Sequence, residues 1–223
     1  MYRKDPIITG EIYHIFSRSI AGYKIFNDTL DYSRMKQMLR FYQVDGMPCK
    51  FSHFAKMHDA KTEGFHKSLM EIAKAKPRRT HIIAYAIMPT HLHLALKQLI
   101  SNGISAYMGN LLNSYAKYFN NRHKRRGPLW ESRFKNVRVQ TDEQLLHLTR
   151  YIHLNPATAY LVDQPEDWEE SSYGEYLETI NADERCCDYE NLLDIKTSEY
   201  KKFVDDQIDY QRKLDHIKHL LIE

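Results

Sequence analysis

Residues 80–98 constrain the fold more than any other stretch of this chain. A nine-residue apolar run, Thr80 to Met88, and an eight-residue run, His91 to Gln98, are separated only by Pro89-Thr90. So short a connection predicts two strands joined by a tight turn. Side chains alternate along a strand, so His91 and His93 share one face, while Leu92, Leu94 and Leu96 follow a different pattern of burial. Positions two apart on a strand are roughly 6.5–7 Å from each other. Two imidazoles at that spacing can converge on one ion through bonds of about 2.0–2.1 Å. A lone His-x-His is more often a pair of polar residues on a solvated strand face, so the decision between the two rests on the rest of the chain.

The other elements are read from periodicity and punctuation. Glu11 to Ile20 reads as a strand, with Ile12, His14 and Phe16 on one side. Asn27 or Asp28 can cap a helix from about Thr29 to Gln43, which Asp45-Gly46-Met47-Pro48 stops. Residues 45–79 read as an insertion between core elements, with a helix over Phe65 to Ala75. Ser101 or Asn102 starts a long helix to about His123, Gly127-Pro128 breaks it, and Phe134 to Gln140 forms a short strand. Thr141 with Gln144 is a capping-box signature. The helix it opens is expected to finish near Asn155, because Pro156 disfavours helical geometry in the residue before it. The order strand, helix, strand, strand, helix, strand, then an added helix predicts an α+β fold: a ferredoxin-like βαββαβ antiparallel sheet with an added C-terminal helix carrying Tyr151 and an acidic helical tail.

Charge divides the chain. Residues 1–162 hold 25 Lys and Arg against 11 Asp and Glu, a net of +14; residues 163–223 hold 7 against 18, a net of −11. A basic body suggests a polyanion partner, and the acidic end reads first as a solvated helical face. The expected division is a catalytic domain over 1–175 and a C-terminal extension over 176–223. No stretch of about 18 apolar residues is present, so no membrane span is expected. Met1-Tyr2-Arg3-Lys4-Asp5-Pro6 leads to no signal-peptide apolar region, so export is not expected. The three cysteines, Cys49, Cys186 and Cys187, are an odd count that fits a reducing cytoplasm rather than a disulfide framework.

Tyr151 and Asn155 are i and i+4 on the added helix, so they lie one above the other. Leu145, Leu148 and Ile152 define its buried stripe, with Tyr151 and Asn155 at the edge. Taken alone, they read as a core-edge tyrosine and a helix-end cap. Joined to His91 and His93, they make a site suited to phosphodiester chemistry. A divalent ion held by His91, His93 and Asn155 can polarise a phosphate oxygen, and this mixed N/O set suits Mg²⁺ or Mn²⁺. The Tyr151 phenol would be the nucleophile, forming a covalent phosphotyrosine that conserves the energy of the broken bond.

The Pro-x-His-hydrophobe-His strand, the Tyr151-Ile152-His153-Leu154-Asn155-Pro156 segment and the Gly127-Pro128-Leu129-Trp130-Glu131-Ser132-Arg133-Phe134 stretch together resemble the HUH single-tyrosine transposases, of the REP-associated (IS200-like) type. The resemblance spans about residues 8–175, with the three motifs in the family's order. It implies cleavage of single-stranded DNA next to palindromic hairpins, with a 5′-phosphotyrosine and a free 3′-hydroxyl as products. It also implies that His91 and His93 are the metal pair, Tyr151 the nucleophile and Asn155 the third ligand, where some relatives carry glutamine. Localisation would be cytoplasmic and nucleoid-associated. Small family members are dimers that exchange the tyrosine helix and others act as monomers, so a homodimer is among the expected states.

The segment from Tyr115 to Val139 points the same way without the resemblance. It holds eight cations against the single acid Glu131, interleaved with Tyr115, Tyr118, Phe119, Trp130 and Phe134. Cations that track a backbone and aromatics that stack on bases are what single-stranded nucleic acid requires. Arg122, Lys124, Arg125, Arg126, Arg133 and Lys135 are the expected DNA contacts, while Phe119 and Phe134 read as buried. His14 and His81 also lie on strands and are set aside as structural. The competing readings are a domesticated nucleic-acid-binding protein that does not cleave, a metal phosphohydrolase in which Tyr151 positions water, and a rolling-circle replication initiator.

Overall fold

A computed structural model describes residues 6–57, 64–181 and 184–220, the last six of these by backbone alone. The expected insertion and C-terminal extension therefore fall partly outside the described residues, at 58–63, 182–183 and 221–223. Four strands, β1 (Ile12–Arg18), β2 (Thr80–Met88), β3 (His91–Gln98) and β4 (Lys135–Val139), form one sheet in the order β2-β3-β1-β4 with every neighbouring pair antiparallel. This is the ferredoxin-like arrangement that the element order predicted.

One face carries the main core. Tyr13, Ile15, Leu92, Leu94 and Leu96 pack there against α1 (Thr29–Gln43) and, beyond the short α2 (Phe51–Phe54) and α3 (Phe65–Ala73), against α4 (Gly103–Arg122). Helix α1 begins where Asp28 accepts hydrogen bonds from the backbone N–H groups of Leu30 and Asp31, offsetting two of the donors a helix start leaves unpaired. The helix expected from Ser101 or Asn102 to His123 begins one residue later, at Gly103. Asn102 is left-handed (φ 60°) and makes no side-chain cap; Gly103 is needed because a Cβ there would collide with the Arg79 carbonyl.

The opposite face is built for close approach. Ala84, Ala86 and Ala95 sit there with Ile83, and α5 (Asp142–Thr158) lays Leu145 and Ile152 on them. Alanines leave little side chain between sheet and helix, so the helix axis can come near the strands. A β-bulge between Ile82 and Ala84 turns Ile82 to the main core and Ile83 to the α5 side.

Helix α5 corrects one expected boundary. It runs past Pro156 to Thr158 instead of ending near Asn155. Proline in the last turn forfeits one helical bond rather than a whole ladder. The Asn155 side-chain amide donates to the Tyr151 carbonyl at 2.8 Å, and Ala159 N–H returns to the Asn155 carbonyl at 2.9 Å. The strand expected over Phe134 to Gln140 is likewise trimmed to Lys135–Val139, with Phe134 buried in the main core.

The back of α5 is covered by the chain's C-terminal part. Leu154 packs with Tyr173 and Tyr176 of α6 (Tyr173–Tyr176), Tyr200 and Val204 of α7 (Thr197–Asp205), and Ile208 at the start of α8 (Ile208–Leu220). Arg212 of α8 donates to the carbonyls of Ala157, Val162 and Asp163, where α5 ends.

Candidate active site

Cross-strand pairing sets the first half of the site. Arg18 lies opposite His91 and Phe16 opposite His93, so these residues and His14 share the α5 side of the sheet. Helix α5 supplies the second half. Ile152 points down onto the alanines, and the neighbouring Tyr151 and Asn155 are placed at the sheet border by the 3.6-residue period. Arg18, His91, His93, Glu131, Tyr151 and Asn155 line one cleft of about 420 Å³. The four residues expected to do chemistry are thereby brought together.

Ring geometry defines the cleft further. The Tyr151 ring stands edge-on to His93, with centroids 5.6 Å apart, and edge-on to His14 at 5.8 Å. The rings of His91 and His93 are 5.0 Å apart and nearly perpendicular. His91 Nδ1 lies 2.9 Å from Thr90 Oγ1, and His93 Nδ1 lies 3.0 Å from His14 Nε2. Tyr151 is 39% exposed, enough for an incoming group to reach it.

Burial keeps these imidazoles neutral. It lowers His14 to about 4, and it lowers His91 to about 4 with help from the Arg18 charge. His93 falls well below its ordinary value, through burial first and then its neighbours His91, His14 and Arg18. Neutral imidazoles have the lone pairs that a metal needs. Among the described residues no three His, Cys, Asp or Glu side chains gather in metal-holding geometry. The side chains of this cleft that could hold an ion are the two imidazoles and the Asn155 amide oxygen, with the Glu131 carboxylate beside them. Few protein ligands and open positions suit an ion that keeps water or takes substrate oxygens.

The basic segment is strapped beside the cleft. Ser19 bridges to Trp130, Ile20 N–H donates to the Leu129 carbonyl, and Glu131 N–H donates to the Arg18 carbonyl. The expected DNA contacts separate into two sets. Arg122 donates to Asp28 and Asp31, and Arg125 donates to Asn120 Oδ1 and the Pro128 carbonyl at 3.0 and 2.7 Å. Those two hold the end of α4 and the loop after it. Lys124, Arg126, Arg133 and Lys135 are exposed. Phe119 and Phe134 are buried as expected, and Tyr115 is also buried, its hydroxyl donating to the Ile25 carbonyl.

His14, read from the sequence as structural, lies against His93, and Arg18 and Glu131 join the cleft without any local motif that marks them as cleft residues. The pattern Ile12-His14-Phe16 did place His14 on one strand face, but its closeness to His93 depends on pairing across 79 residues. His81, also set aside, lies 3.2 Å from Asp188 and away from the cleft.

The architecture is an antiparallel ferredoxin-like sheet with a histidine pair facing a helix-borne tyrosine. Residues 55–155, the stretch that holds His91, His93, Tyr151 and Asn155, match the family model described as "Transposase IS200 like". Over this stretch the chain is similar to the IS200-like transposases. A solved structure described as a REP-associated tyrosine transposase bound to a REP hairpin has the same fold. It superposes with a TM-score of 0.52 at 16% identity, covering 88% of this chain and 95% of that one. No curated protein matches the sequence.

Proposed function

We propose that this protein is a metal-dependent single-stranded DNA endonuclease and strand transferase, a transposase that cuts next to palindromic hairpins with Tyr151 as nucleophile. The observation that carries the reading is the convergence of His91 and His93 from β3 with Tyr151 and Asn155 from α5 on one cleft. The family match supports a DNA-processing role. The hairpin in the neighbouring structure supports hairpin DNA as the partner.

His91, His93 and Asn155 would hold Mg²⁺ or Mn²⁺, which supplies Lewis-acid polarisation of a non-bridging phosphate oxygen when bound. The Tyr151 oxygen attacks phosphorus. A Tyr–O–P bond forms, the P–O3′ bond breaks, and the 3′ oxygen leaves as a hydroxyl after taking a proton. The product is a 5′-phosphotyrosine with a free 3′-hydroxyl. Attack by another strand's 3′-hydroxyl reverses the step, rejoins DNA and releases the tyrosine without a nucleoside triphosphate. Lys124, Arg126, Arg133 and Lys135 track the backbone of the strand, while Arg122 and Arg125 shape the loop that presents them. In this reading residues 1–175 are the catalytic unit and 176–223 an extension that braces the tyrosine helix, in keeping with Tyr200 and Val204 packed on Leu154.

The test is a denaturing gel of the protein with labelled single-stranded hairpin oligonucleotides and Mn²⁺ or Mg²⁺. A slower protein–DNA band is expected, lost in Tyr151→Phe and lost on adding EDTA. Tight hairpin binding without any adduct sinks the cleavage reading and leaves a binding protein. Metal-dependent cutting that survives Tyr151→Phe assigns the protein to the phosphohydrolases instead.

A further inference from the structure

The two histidines of the cleft are held in the same manner. In each, one ring nitrogen is engaged from behind: His91 Nδ1 by Thr90 Oγ1 at 2.9 Å, and His93 Nδ1 by His14 Nε2 at 3.0 Å. That leaves Nε2 of both rings as the nitrogen available to the cleft they line. His14 comes from a different strand, β1, and its ring lies 19° from parallel with that of His93, centroids 5.2 Å apart, as expected of two rings joined edge to edge by that hydrogen bond. The near-coplanar contact holds the His93 ring plane.

Two neutral imidazoles sharing one hydrogen bond need one donor and one acceptor. If His93 donates through Nδ1–H, its Nε2 carries a lone pair and can bind a cation. If His14 donates instead, the His93 proton sits on Nε2 and blocks that nitrogen. We propose that His14 is a positioning residue, its Nε2 accepting from His93 Nδ1–H so that His93 presents Nε2 to a divalent cation. The inference rests on the metal-dependent reading above and adds a residue to it. His14 is not itself a ligand in this arrangement, because its Nε2 is spent on His93 and it does not line the cleft. The partner that holds a metal-binding histidine by its other ring nitrogen sets both tautomer and orientation, and losing it typically costs about 10–100-fold in metal affinity.

Two substitutions separate hydrogen bonding from packing. His14→Phe keeps a ring of similar size without an acceptor; His14→Gln keeps an acceptor on a flexible chain. Mn²⁺ binding is read by electron paramagnetic resonance of free Mn²⁺ during titration, beside hairpin binding in EDTA and thermal unfolding. His14→Phe is expected to bind Mn²⁺ about 10–100-fold more weakly than wild type, with hairpin binding in EDTA unchanged. His14→Gln is expected to recover most of the Mn²⁺ affinity, and excess Mn²⁺ to restore the Tyr151 adduct in His14→Phe. Wild-type Mn²⁺ affinity in His14→Phe overturns the inference, as does a His14→Gln variant no better than His14→Phe. If the wild type forms the adduct and only these variant results fail, the inference alone is lost. If the wild type neither binds Mn²⁺ nor forms the adduct, the metal-dependent reading falls and takes the inference with it.

Discussion

Replacing His153 with alanine removes an imidazole that ties α5 to both the sheet and the C-terminal segment. Its ring is fully buried between Tyr173, Tyr176 and Tyr200, with centroids 5.3, 4.7 and 5.7 Å away. Nδ1 lies 2.7 Å from the Tyr200 hydroxyl and Nε2 lies 2.7 Å from Ser172 Oγ. Ser172 Oγ in turn accepts from Tyr85 N–H of β2 at 2.9 Å, so the chain of contacts runs from α7 through α5 to the sheet. Ser172 keeps its bond to β2 in the variant, whereas Tyr200 loses a partner. Two lost hydrogen bonds at about 1 kcal/mol each, with the void left by the ring adding one or two more, give about 3–4 kcal/mol. For a chain of this length, about 2–4 °C per kcal/mol converts that to a fall in Tm of roughly 6–16 °C. Thermal unfolding followed by circular dichroism at pH 7.5 measures it, and His153→Gln, which retains one donor and one acceptor, should lose about half as much. A fall in Tm of less than about 2 °C for His153→Ala would refute the argument that this buried chain of contacts holds the tyrosine helix in place.

Salt titrations of hairpin binding separate the two sets of cations. Removing Lys124, Arg126, Arg133 and Lys135 together should flatten the log–log salt slope by about 3, at about 0.7 per phosphate contact on single strands; an unchanged slope would move the DNA path elsewhere. Arg122→Ala should leave that slope alone and lower stability, because its guanidinium is committed to Asp28 and the buried Asp31. Gly103→Ala should destabilise by about 1–3 kcal/mol, since the new methyl must displace the Arg79 backbone carbonyl; a neutral result in urea unfolding would contradict that contact. Burial raises the Glu175 carboxyl above its ordinary value, although Cys186 and Cys187 N–H groups donate to it. A raised native pKa contributes stability below the unfolded pKa and loses it as pH rises through the native one. Glu175→Gln, which cannot ionise, should therefore gain on wild type as pH climbs upward from about 4.5, read from urea midpoints between pH 4 and 8; a gap that is constant with pH would count against it.

Much of the local structure is legible in the sequence. Helix Thr29–Gln43 and strands Thr80–Met88 and His91–Gln98 have the bounds that periodicity and turn residues predicted. In each case the deciding interactions span only a few residues: Asp28 capping its own helix, or Pro89-Thr90 closing a two-residue turn. The same locality put His91 beside His93 on one strand face and Tyr151 above Asn155 on one helix face. Pro156 misled because the rule for the residue before proline does not know that the helix ends within one more turn.

What the sequence by itself determined was the element order, the face each chemical side chain occupies and the basic character of the segment before β4, all set by contacts within a turn or two of chain. Tertiary structure alone decided that His14 meets His93, that Arg18 and Glu131 enter the cleft, that Arg122 is taken by Asp28 and Asp31, and that the acidic C-terminal part braces α5 through Tyr200 and His153. Those pairings join residues far apart in the chain. Their geometry comes from strand register and from how closely α5 can settle on Ala84, Ala86 and Ala95, and no local pattern encodes either.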